Sequence, residues 1–322
     1  MVNYLAASPK KEMVFKSLSV LYRNSKKSKS GKLKVIETDL QNDSVIIFSD
    51  QHKGNRSWAD DFAICEKNYV AALEDYNSKN FTFINLGDSE ELWKFTVKQI
   101  LPCNDKAFAA EAAFQQGDRY YKTFGNHDIL WKNRLDVELD LKKIFQMPLP
   151  VYEGIVLRDQ KLDLDIFLTH GHQGDMLSDN NALSTWIVAH IWMPLQRYLR
   201  INPNSPSSDF SLRNKHNRMM YEWSSKRKHL LLITGHTHQP IFASGKYYKH
   251  PSNNIPTETI DEKLEPTYFN TGCCCYNDGD ITGIEIADGK IRLIRWYHEE
   301  IKPEKMILEE MPFTTLIKDL KT

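Results

Sequence analysis

The sequence predicts an α/β fold, a sandwich of strands and helices, and two features indicate it. Short apolar runs alternate with helical patterns along most of the chain, and shorter strand candidates separated by Gly-containing turns follow near its end. Apolar runs of this length, bounded by turn residues, are typical of buried strands. The predicted strands are 45–49, 81–86, 120–124, 165–169, 230–234, 267–272, 281–286 and 291–297. The predicted helices are 59–77, 89–100, 105–116 and 137–145.

The length and composition of the chain fit one large domain. Its 322 residues, of which 41% are hydrophobic, can bury a full core. We expect a domain over 44–298, preceded by a leader over 1–43 and followed by a peripheral appendage over 299–322. The leader is polar and basic through SKKSKSGKLK, which favours a solvated arm over a binding element.

The net charge and the first residues of the chain limit the partners and the cellular compartment that we expect. The 42 basic side chains balance 42 acidic ones, so the field of the whole protein gives no reason to expect nucleic acid as a partner. The opening MVNYLAASPKKEMVF lacks a basic segment leading into an apolar core, which is the pattern of a secretion signal. We therefore expect a cytoplasmic protein.

The cysteines do not suggest a covalent framework. Cys65 and Cys103 stand alone, whereas Cys273, Cys274 and Cys275 are consecutive. This spacing favours neither a disulfide framework nor a closed zinc site. The consecutive run lies where a predicted strand enters a turn, so we expect small buried thiols that pack against a sheet rather than a redox site.

Carboxylate, amide and imidazole side chains collect at the ends of predicted strands. They stand in the segments FSDQHKG, INLGDSE, TFGNHD, LTHGHQ and ITGHTHQ, and four of these follow a short apolar run. Open α/β sheets build their sites at such strand ends. Any one of these segments is also compatible with an ordinary turn, but the ordered set favours a metal site. The candidate ligands are Asp50, His52, Asp88, Asn126, His170, His236 and His238.

The residue types fit a pair of divalent ions. Two ions about 3.5–4 Å apart need a shared anionic bridge and can then clamp the oxygens of a phosphoryl displacement. Asp88 is the natural bridge, while Asp50 and His52, two residues apart, can turn toward the same ion. Mixed imidazole and oxygen donors suit manganese, iron, zinc or nickel better than magnesium or calcium. We expect two such transition-metal ions, with manganese favoured.

The ordered motifs DxH, GD, GNHD, HGH and GHTH resemble those of the calcineurin-like metallophosphoesterase superfamily over roughly residues 44 to 287. The resemblance implies a four-layer αββα sandwich of two packed mixed sheets flanked by helices. It implies that Asp88 bridges the two metals. It also implies a first metal held by Asp50, His52 and His238, and a second held by Asn126, His170 and His236.

The same resemblance implies the catalytic roles. His127 would contact the substrate phosphate and protonate the leaving oxygen, with Asp128 as its orienting partner, and a metal-bridging hydroxide would be the nucleophile. His172 competes with His170 for the ligand role. We favour His170 as the ligand and expect His172 to support the ligands or to face the substrate.

The segment 176–227, between HGHQ and GHTH, is too long for a simple connection. It contains ALSTWIVAHIWMPLQRYLRI, whose apolar stretch is interrupted and shorter than the roughly 20 residues of a membrane span. We expect a helical cap beside the metals, with an apolar face, with Arg197 and Arg213 binding an anionic group, and with peripheral membrane contact as one use. An equally weighted alternative is that the apolar stripe packs on the core and the basic residues are solvated.

The insertion and the segment GDSEELW are similar to the branch that contains UDP-diacylglucosamine hydrolases. That branch carries Arg after the ligand Asn, whereas this chain has His127. The sequence therefore predicts a dinuclear metal-dependent phosphoesterase that hydrolyses a phosphoester or pyrophosphate of a small-molecule or lipid-like substrate. One alternative is a pyrophosphohydrolase of a lipid-linked nucleotide, like the enzymes of that branch. The other is an inactive scaffold of the same fold.

Overall fold

A computed structural model shows two mixed β-sheets packed face to face, with helices on both outer faces. The expected αββα sandwich is confirmed. All eight predicted strands are present, with ends that lie within two residues of the predicted ones. The structure describes residues 10–26, 32–174, 210–244, 246–248, 256–259, 264–299 and 302–320.

Within the described ranges, the first sheet has seven strands, four of them parallel. Its parallel strands are β2 (Val45–Phe48), β3 (Thr82–Leu86), β4 (Tyr120–Thr123) and β5 (Val151–Tyr152). Its antiparallel strands are β13 (Ile281–Ala287), β14 (Lys290–Glu299) and β15 (Lys302–Pro312). The order is β15-β14-β13-β2-β3-β4-β5. The β2 to β4 ends therefore lie side by side at one edge.

The second sheet has eight strands in the part of the chain that the structure describes. They are β1 (Leu33–Glu37), β6 (Gly154–Asp159), β7 (Leu164–Thr169), β8 (Leu230–Thr234), β9 (Ile241–Phe242), β10 (Lys246–Tyr248), β11 (Pro256–Thr259) and β12 (Tyr268–Asn270). The order is β1-β6-β7-β8-β12-β9-β10-β11. Strands β7, β8 and β12 are parallel, so their carboxyl ends also meet at one edge.

Eight α-helical segments complete the described part of the fold. They are α1 (Lys11–Arg23), α2 (Glu66–Ser78), α3 (Val97–Ile100), α4 (Asp105–Gln116), α5 (Arg134–Asp136), α6 (Lys142–Phe145), α7 (Phe210–Ser224) and α8 (Phe313–Asp319). A π-helical turn, Val137–Leu141, joins α5 to α6. The predicted helix 59–77 begins only at Glu66, because the Asp60 side chain accepts from the backbone N–H of Arg56 (2.7 Å) and Phe62 (3.1 Å) and holds turns instead.

Three apolar layers hold the sandwich together. The central layer fills the space between the sheets with side chains such as Ile84 and Ile166. Helices α2 and α4 cover the outer face of the first sheet, where Phe83 and Phe114 pack, and α1 and α7 cover that of the second. The central strands are covered on both faces, which explains why they read as continuous apolar runs instead of alternating ones.

Both chain ends are more integrated than expected. The prediction of a solvated arm was wrong for helix α1. Its Val14, Leu18 and Leu21 lie on one face and are buried in the layer that contains Trp223. Strand β1 pairs in parallel with β6. At the other end, β15 extends the first sheet and α8 buries Phe313 in the central layer. The limits of the domain at 44 and 298 remain a prediction.

Most of the predicted cap, including Arg197, lies outside the described residues. Within the insertion the structure describes the backbone of α7, and its side chains from Lys215 onward. The side chain of Arg213 is therefore also outside the described part. Helix α7 packs on β8 and β12. Within the described ranges, no helix has the length and apolar character that crossing a membrane requires.

Replacing Leu18 by Ala tests the packing of α1. Leu18 is fully buried, so Leu18→Ala should lower the free energy of unfolding by about 2–5 kcal/mol in urea titrations. Val20 of the same helix is 43% exposed, and Val20→Ala should change it by less than about 0.5 kcal/mol. Equal effects of the two substitutions would contradict the packing of this helix.

Candidate metal centre

Five of the predicted ligands follow the carboxyl ends of five parallel strands. Asp50, Asp88 and Asn126 come after β2, β3 and β4 of the first sheet, and His170 and His236 come after β7 and β8 of the second. Because the two sheets pack with these ends at the same side of the sandwich, their side chains converge. The convergence connects the sheets directly, since the backbone N–H of His236 donates to the Asp50 carboxylate at 3.0 Å.

The backbone of five predicted ligands is left-handed. The φ angles are 54° at Asp50, 51° at His52, 51° at Asp88, 69° at His236 and 56° at His238. Such a conformation is uncommon outside glycine, costs on the order of 1–3 kcal/mol per residue, and clusters at functional sites. Hydrogen bonds maintain it, among them the N–H of His52 to the carbonyl of Asp88 at 2.9 Å.

Asp50, His52 and His238 form the first ligand group. The Nε2 of His238 lies 3.2 Å from Oδ1 of Asp50 and 3.2 Å from Nε2 of His52. His52 Nε2 lies 3.8 Å from the same Asp50 oxygen. Donors bonded at about 2.1 Å to one ion lie roughly 3–4 Å from each other, so these three atoms fit a single cation.

Asp88, Asn126, His170 and His236 form the second ligand group. His170 Nε2 lies 3.1 Å from Oδ2 of Asp88 and 3.3 Å from Oδ1 of Asn126. A ring nitrogen of His236 lies within 4.8 Å of donor atoms of Asp88 and His170. Asp88 Oδ2 is also 3.8 Å from Nε2 of His52, so this carboxylate stands between the two groups.

Buried negative charge shifts the pKa of His170 in this group. Burial alone would lower the pKa of His170, but the carboxylates of Asp88 and Asp50 outweigh burial and raise it to about 9. The raised pKa reflects the buried negative charge of these two carboxylates. A divalent cation at this group would compete with protons, since a ligating imidazole must be neutral.

His127 is held by a residue that the sequence analysis did not single out. Its Nδ1–H donates to both carboxylate oxygens of Glu91, at 2.9 and 3.0 Å, and its ring stacks on Trp93 with 4.0 Å between centroids. Glu91 also accepts from Nδ1 of His52 at 3.1 Å. Burial would raise the pKa of Glu91, but His127 and His52 hold it well below its usual range. One carboxylate therefore orients both a predicted ligand and the predicted acid.

Asp128 has a different position from the one expected. Its carboxylate accepts from the backbone N–H of Gly125 (2.6 Å), Ser89 (2.9 Å) and Asp88 (3.3 Å). It thus joins the GNHD and GDSE loops, while Glu91 takes the orienting position beside His127. Burial raises the pKa of Asp128 to about 6, against the opposing charge of Lys122. The signal for Glu91 was the acidic pair Glu90-Glu91, which one serine separates from Asp88.

Two further histidines lie behind the second group. His172 is buried with its ring 5.4 Å from that of His170, and burial lowers its pKa to about 3. His216 of α7 donates from Nε2 to the carbonyl of Gly171 at 2.7 Å, and its ring lies 5.2 Å from that of His236. Burial lowers the pKa of His216 to about 4, so the neutral imidazole supports the HGH loop.

A buried charge network supports the loops of the first sheet. Lys53 and Lys122 are fully buried; Lys53 Nζ lies 2.7 Å from Glu111, and Lys122 Nζ lies 3.0 Å from Glu90. Glu90 also accepts from the indole N–H of Trp131 at 2.7 Å. Buried charges are tolerated only when they are paired and hydrogen-bonded, as here. Lys53 Nζ also lies 3.3 Å from Glu90, so Glu90 connects the segments that follow β2 and β3 to β4 and the segment after it.

The three consecutive cysteines are at different depths. Cys273 and Cys274 are buried, and Cys274 packs in the layer beneath α2, which agrees with the expected packing role. Cys275 is only partly buried, and its Sγ lies 3.7 Å from Nδ1 of His238. A thiol beside His238 was not expected from the sequence.

A family profile described as calcineurin-like phosphoesterase matches residues 44–240, more than half of the chain. The chain belongs to this family. Members of the family typically bind two divalent metals, and the two ligand groups of this calcineurin-like chain offer donors suited to that role. A search of the curated proteins found no match.

Solved structures give distant likenesses. A dimetal phosphatase from Danio rerio has a TM-score of 0.39 and 8% identity, with 83% of this chain and 99% of the other covered. Vacuolar Protein Sorting 29 from Cryptosporidium parvum has a TM-score of 0.36 and 12% identity, with 84% and 98% covered. Purple acid phosphatase PPD1 from yellow lupin has a TM-score of 0.38 and 12% identity, with 84% and 55% covered. These likenesses assign no activity to this chain.

Replacing Gly125 by Ala tests the position of the Asp88 carboxylate. A Cβ at Gly125 would overlap that carboxylate, so Gly125→Ala should displace it and reduce the divalent metal retained by the purified protein. Metal analysis after dialysis measures the change. Gly117→Ala is the matched control, because its Cβ would meet only the flexible Arg119 side chain. Equal metal content in the two variants would contradict the proposed position of Asp88.

Proposed function

We propose that this chain is a dinuclear metal-dependent phosphoesterase that hydrolyses a phosphoester or pyrophosphate. The observation that supports it most is the carboxylate of Asp88, which stands between two groups of donors, 3.1 Å from His170 and 3.8 Å from His52. An anionic bridge between two sets of ligands is what a pair of close divalent ions requires. The match to the calcineurin-like family supports the same reaction class.

The proposed ligands form two sets, which correspond to the two groups of side chains that lie in contact. Asp50, His52 and His238 would hold one ion, Asn126, His170 and His236 the other, and Asp88 both. When bound, the two ions would supply Lewis-acid stabilisation of the phosphoryl oxygens and an activated water. We retain manganese, iron, zinc or nickel as the candidate metals on the chemistry of the donors.

His127 is the proposed general acid. Its Nδ1–H is engaged by Glu91, so Nε2 is the atom that can carry a proton toward the leaving oxygen. Stacking on Trp93 fixes the plane of the ring, and Glu91 fixes its rotation. A carboxylate that accepts from Nδ1–H also stabilises the protonated imidazole, as an orienting acid does in other catalytic pairs.

The substrate is proposed only by class, as a phosphorylated small molecule or a lipid-like phosphoester, with nucleic acid disfavoured by the balanced charge. We further propose a cytoplasmic location. Comparing monoesters, diesters and pyrophosphates on the metal-loaded enzyme would identify the bond that is cleaved.

Replacing Asp88 by Asn tests the reaction class. The amide cannot supply the shared negative charge, so Asp88→Asn should lose bound metal and reduce hydrolysis of p-nitrophenyl phosphate and bis-p-nitrophenyl phosphate to background. Metal analysis and release of p-nitrophenolate measure the two effects. If wild type and variant retain the same metal and neither hydrolyses any substrate of the panel, the chain is an inactive scaffold.

Replacing His127 by Gln tests the general acid. Proton donation contributes about 10²–10⁴-fold when the leaving group is basic, and much less for p-nitrophenolate. His127→Gln should therefore lower kcat/KM strongly for an alkyl phosphoester and weakly for a p-nitrophenyl ester, with metal content unchanged. Equal losses on both substrates would assign His127 to substrate binding instead.

A further inference from the structure

The two helices that cover the second sheet carry an excess of positive charge. Residues 10–23, which contain α1, have four Lys and Arg side chains and one acidic side chain. Residues 215–228, which contain most of α7 and the turn after it, have five and one. The whole chain has 42 basic and 42 acidic side chains, so an acidic excess elsewhere balances this one. The net charge of zero therefore conceals an uneven distribution, and it is the distribution that orients a protein toward a charged partner.

These basic side chains form one continuous surface. Helices α1 and α7 pack against each other on the outer face of the second sheet, because Lys11 forms an ion pair with Glu222 and Nζ of Lys226 lies 5.1 Å from the centre of the Phe15 ring. The exposed side chains of helices that cover a sheet point away from that sheet. We call the following exposed residues the basic face: Lys16, Arg23, Lys215, Arg218, Lys226 and Lys228.

Apolar side chains lie between the basic ones on the outer side of α1. Met13 and Val20 are 37% and 43% exposed, whereas Leu18 of the same helix is fully buried. The residues Met13, Lys16, Val20 and Arg23 follow one another at intervals of three or four, so they share one side of the helix. This side therefore presents positive charge and apolar surface together.

That combination fits the surface of a lipid bilayer that contains acidic lipids. Basic side chains are attracted to acidic head groups, and apolar side chains on the same helix enter the boundary between head groups and acyl chains. A nucleic acid backbone would be held through the basic side chains alone. Binding to nucleic acid would therefore give no role to Met13 and Val20, which favours the lipid surface.

We propose that the basic face, together with Met13 and Val20, docks this protein reversibly on a bilayer that contains acidic lipids. The proposal does not depend on the reaction proposed above, because no residue of the basic face belongs to either ligand group. Docking would also orient the metal centre. Lys215 directly precedes His216, whose ring lies 5.2 Å from that of His236, so the bilayer would lie beside the second ligand group.

Sedimentation of the full-length protein with vesicles tests the charged part of the contact. The wild type should bind vesicles of phosphatidylcholine and phosphatidylglycerol but not vesicles of phosphatidylcholine alone, and salt should weaken the binding by screening the charges. Replacing Lys16 and Arg23 together by Gln should lower the partition coefficient at least about 10-fold, since each basic residue near an acidic bilayer contributes about 5-fold.

Lys98→Gln combined with Lys106→Gln is the matched control. Both lysines are exposed, on the helices α3 and α4 that follow β3 of the first sheet, and the change in net charge is the same. Binding of this variant to the acidic vesicles should equal that of the wild type. An equal loss in the two double variants would show an effect of net charge alone and would overturn the docking face.

Replacing Met13 and Val20 together by Ser separates a lipid surface from nucleic acid. This variant keeps every charge, and it should bind the acidic vesicles at least about 5-fold more weakly because apolar surface is lost. Thermal unfolding of each variant checks that the fold is retained. The proposal is overturned if the wild type does not bind the acidic vesicles. It is also overturned if the wild type binds a duplex oligonucleotide more tightly than the vesicles and the Ser variant binds both as the wild type does.

Discussion

The contact between Asp88 and His170 connects the two sheets at the candidate centre. Asp88 follows β3 of the first sheet and His170 follows β7 of the second, and their side chains meet at 3.1 Å. The other nitrogen of His170 reaches the carbonyl of Leu86, at the end of β3, at 3.0 Å. The carboxyl ends of both sheets must therefore be level with each other. The central apolar layer between the sheets fixes that alignment.

Much of the surrounding structure holds the loops that carry the proposed ligands in unfavourable backbone conformations. Asp128 accepts from three backbone N–H groups of the GDSE and GNHD loops. Glu90 forms ion pairs with two buried lysines and accepts a hydrogen bond from an indole N–H. Helix α7 adds the contact of His216 with Gly171. Strained residues persist only where their surroundings over-determine them, and these polar groups provide that restraint.

Eight of the fifteen described strands, and the convergence of the candidate ligand side chains at strand ends, could be predicted because they depend on local patterns. Apolar runs identify strands that are buried on both faces, and ordered motifs identify strand-end donors. Helix α1 was missed because lysines and serines surround the buried positions of Leu18 and its neighbours. Strand β15 was missed because it is an edge strand in which no residue is fully buried. Glu91 and Cys275 reach the centre through turn geometry and contacts between segments distant in sequence. The spacing of apolar residues does not predict such contacts.

The left-handed backbone of the proposed ligands affects which substitutions this centre can accept during evolution. At Asp50, Asp88 and His238 the same residue offers a donor atom and tolerates a positive φ. A glycine at such a position would remove the donor and relieve the backbone strain together, whereas a β-branched residue would lose the donor and increase the strain. At these positions, loss of a donor atom through glycine is therefore separable from loss of the fold.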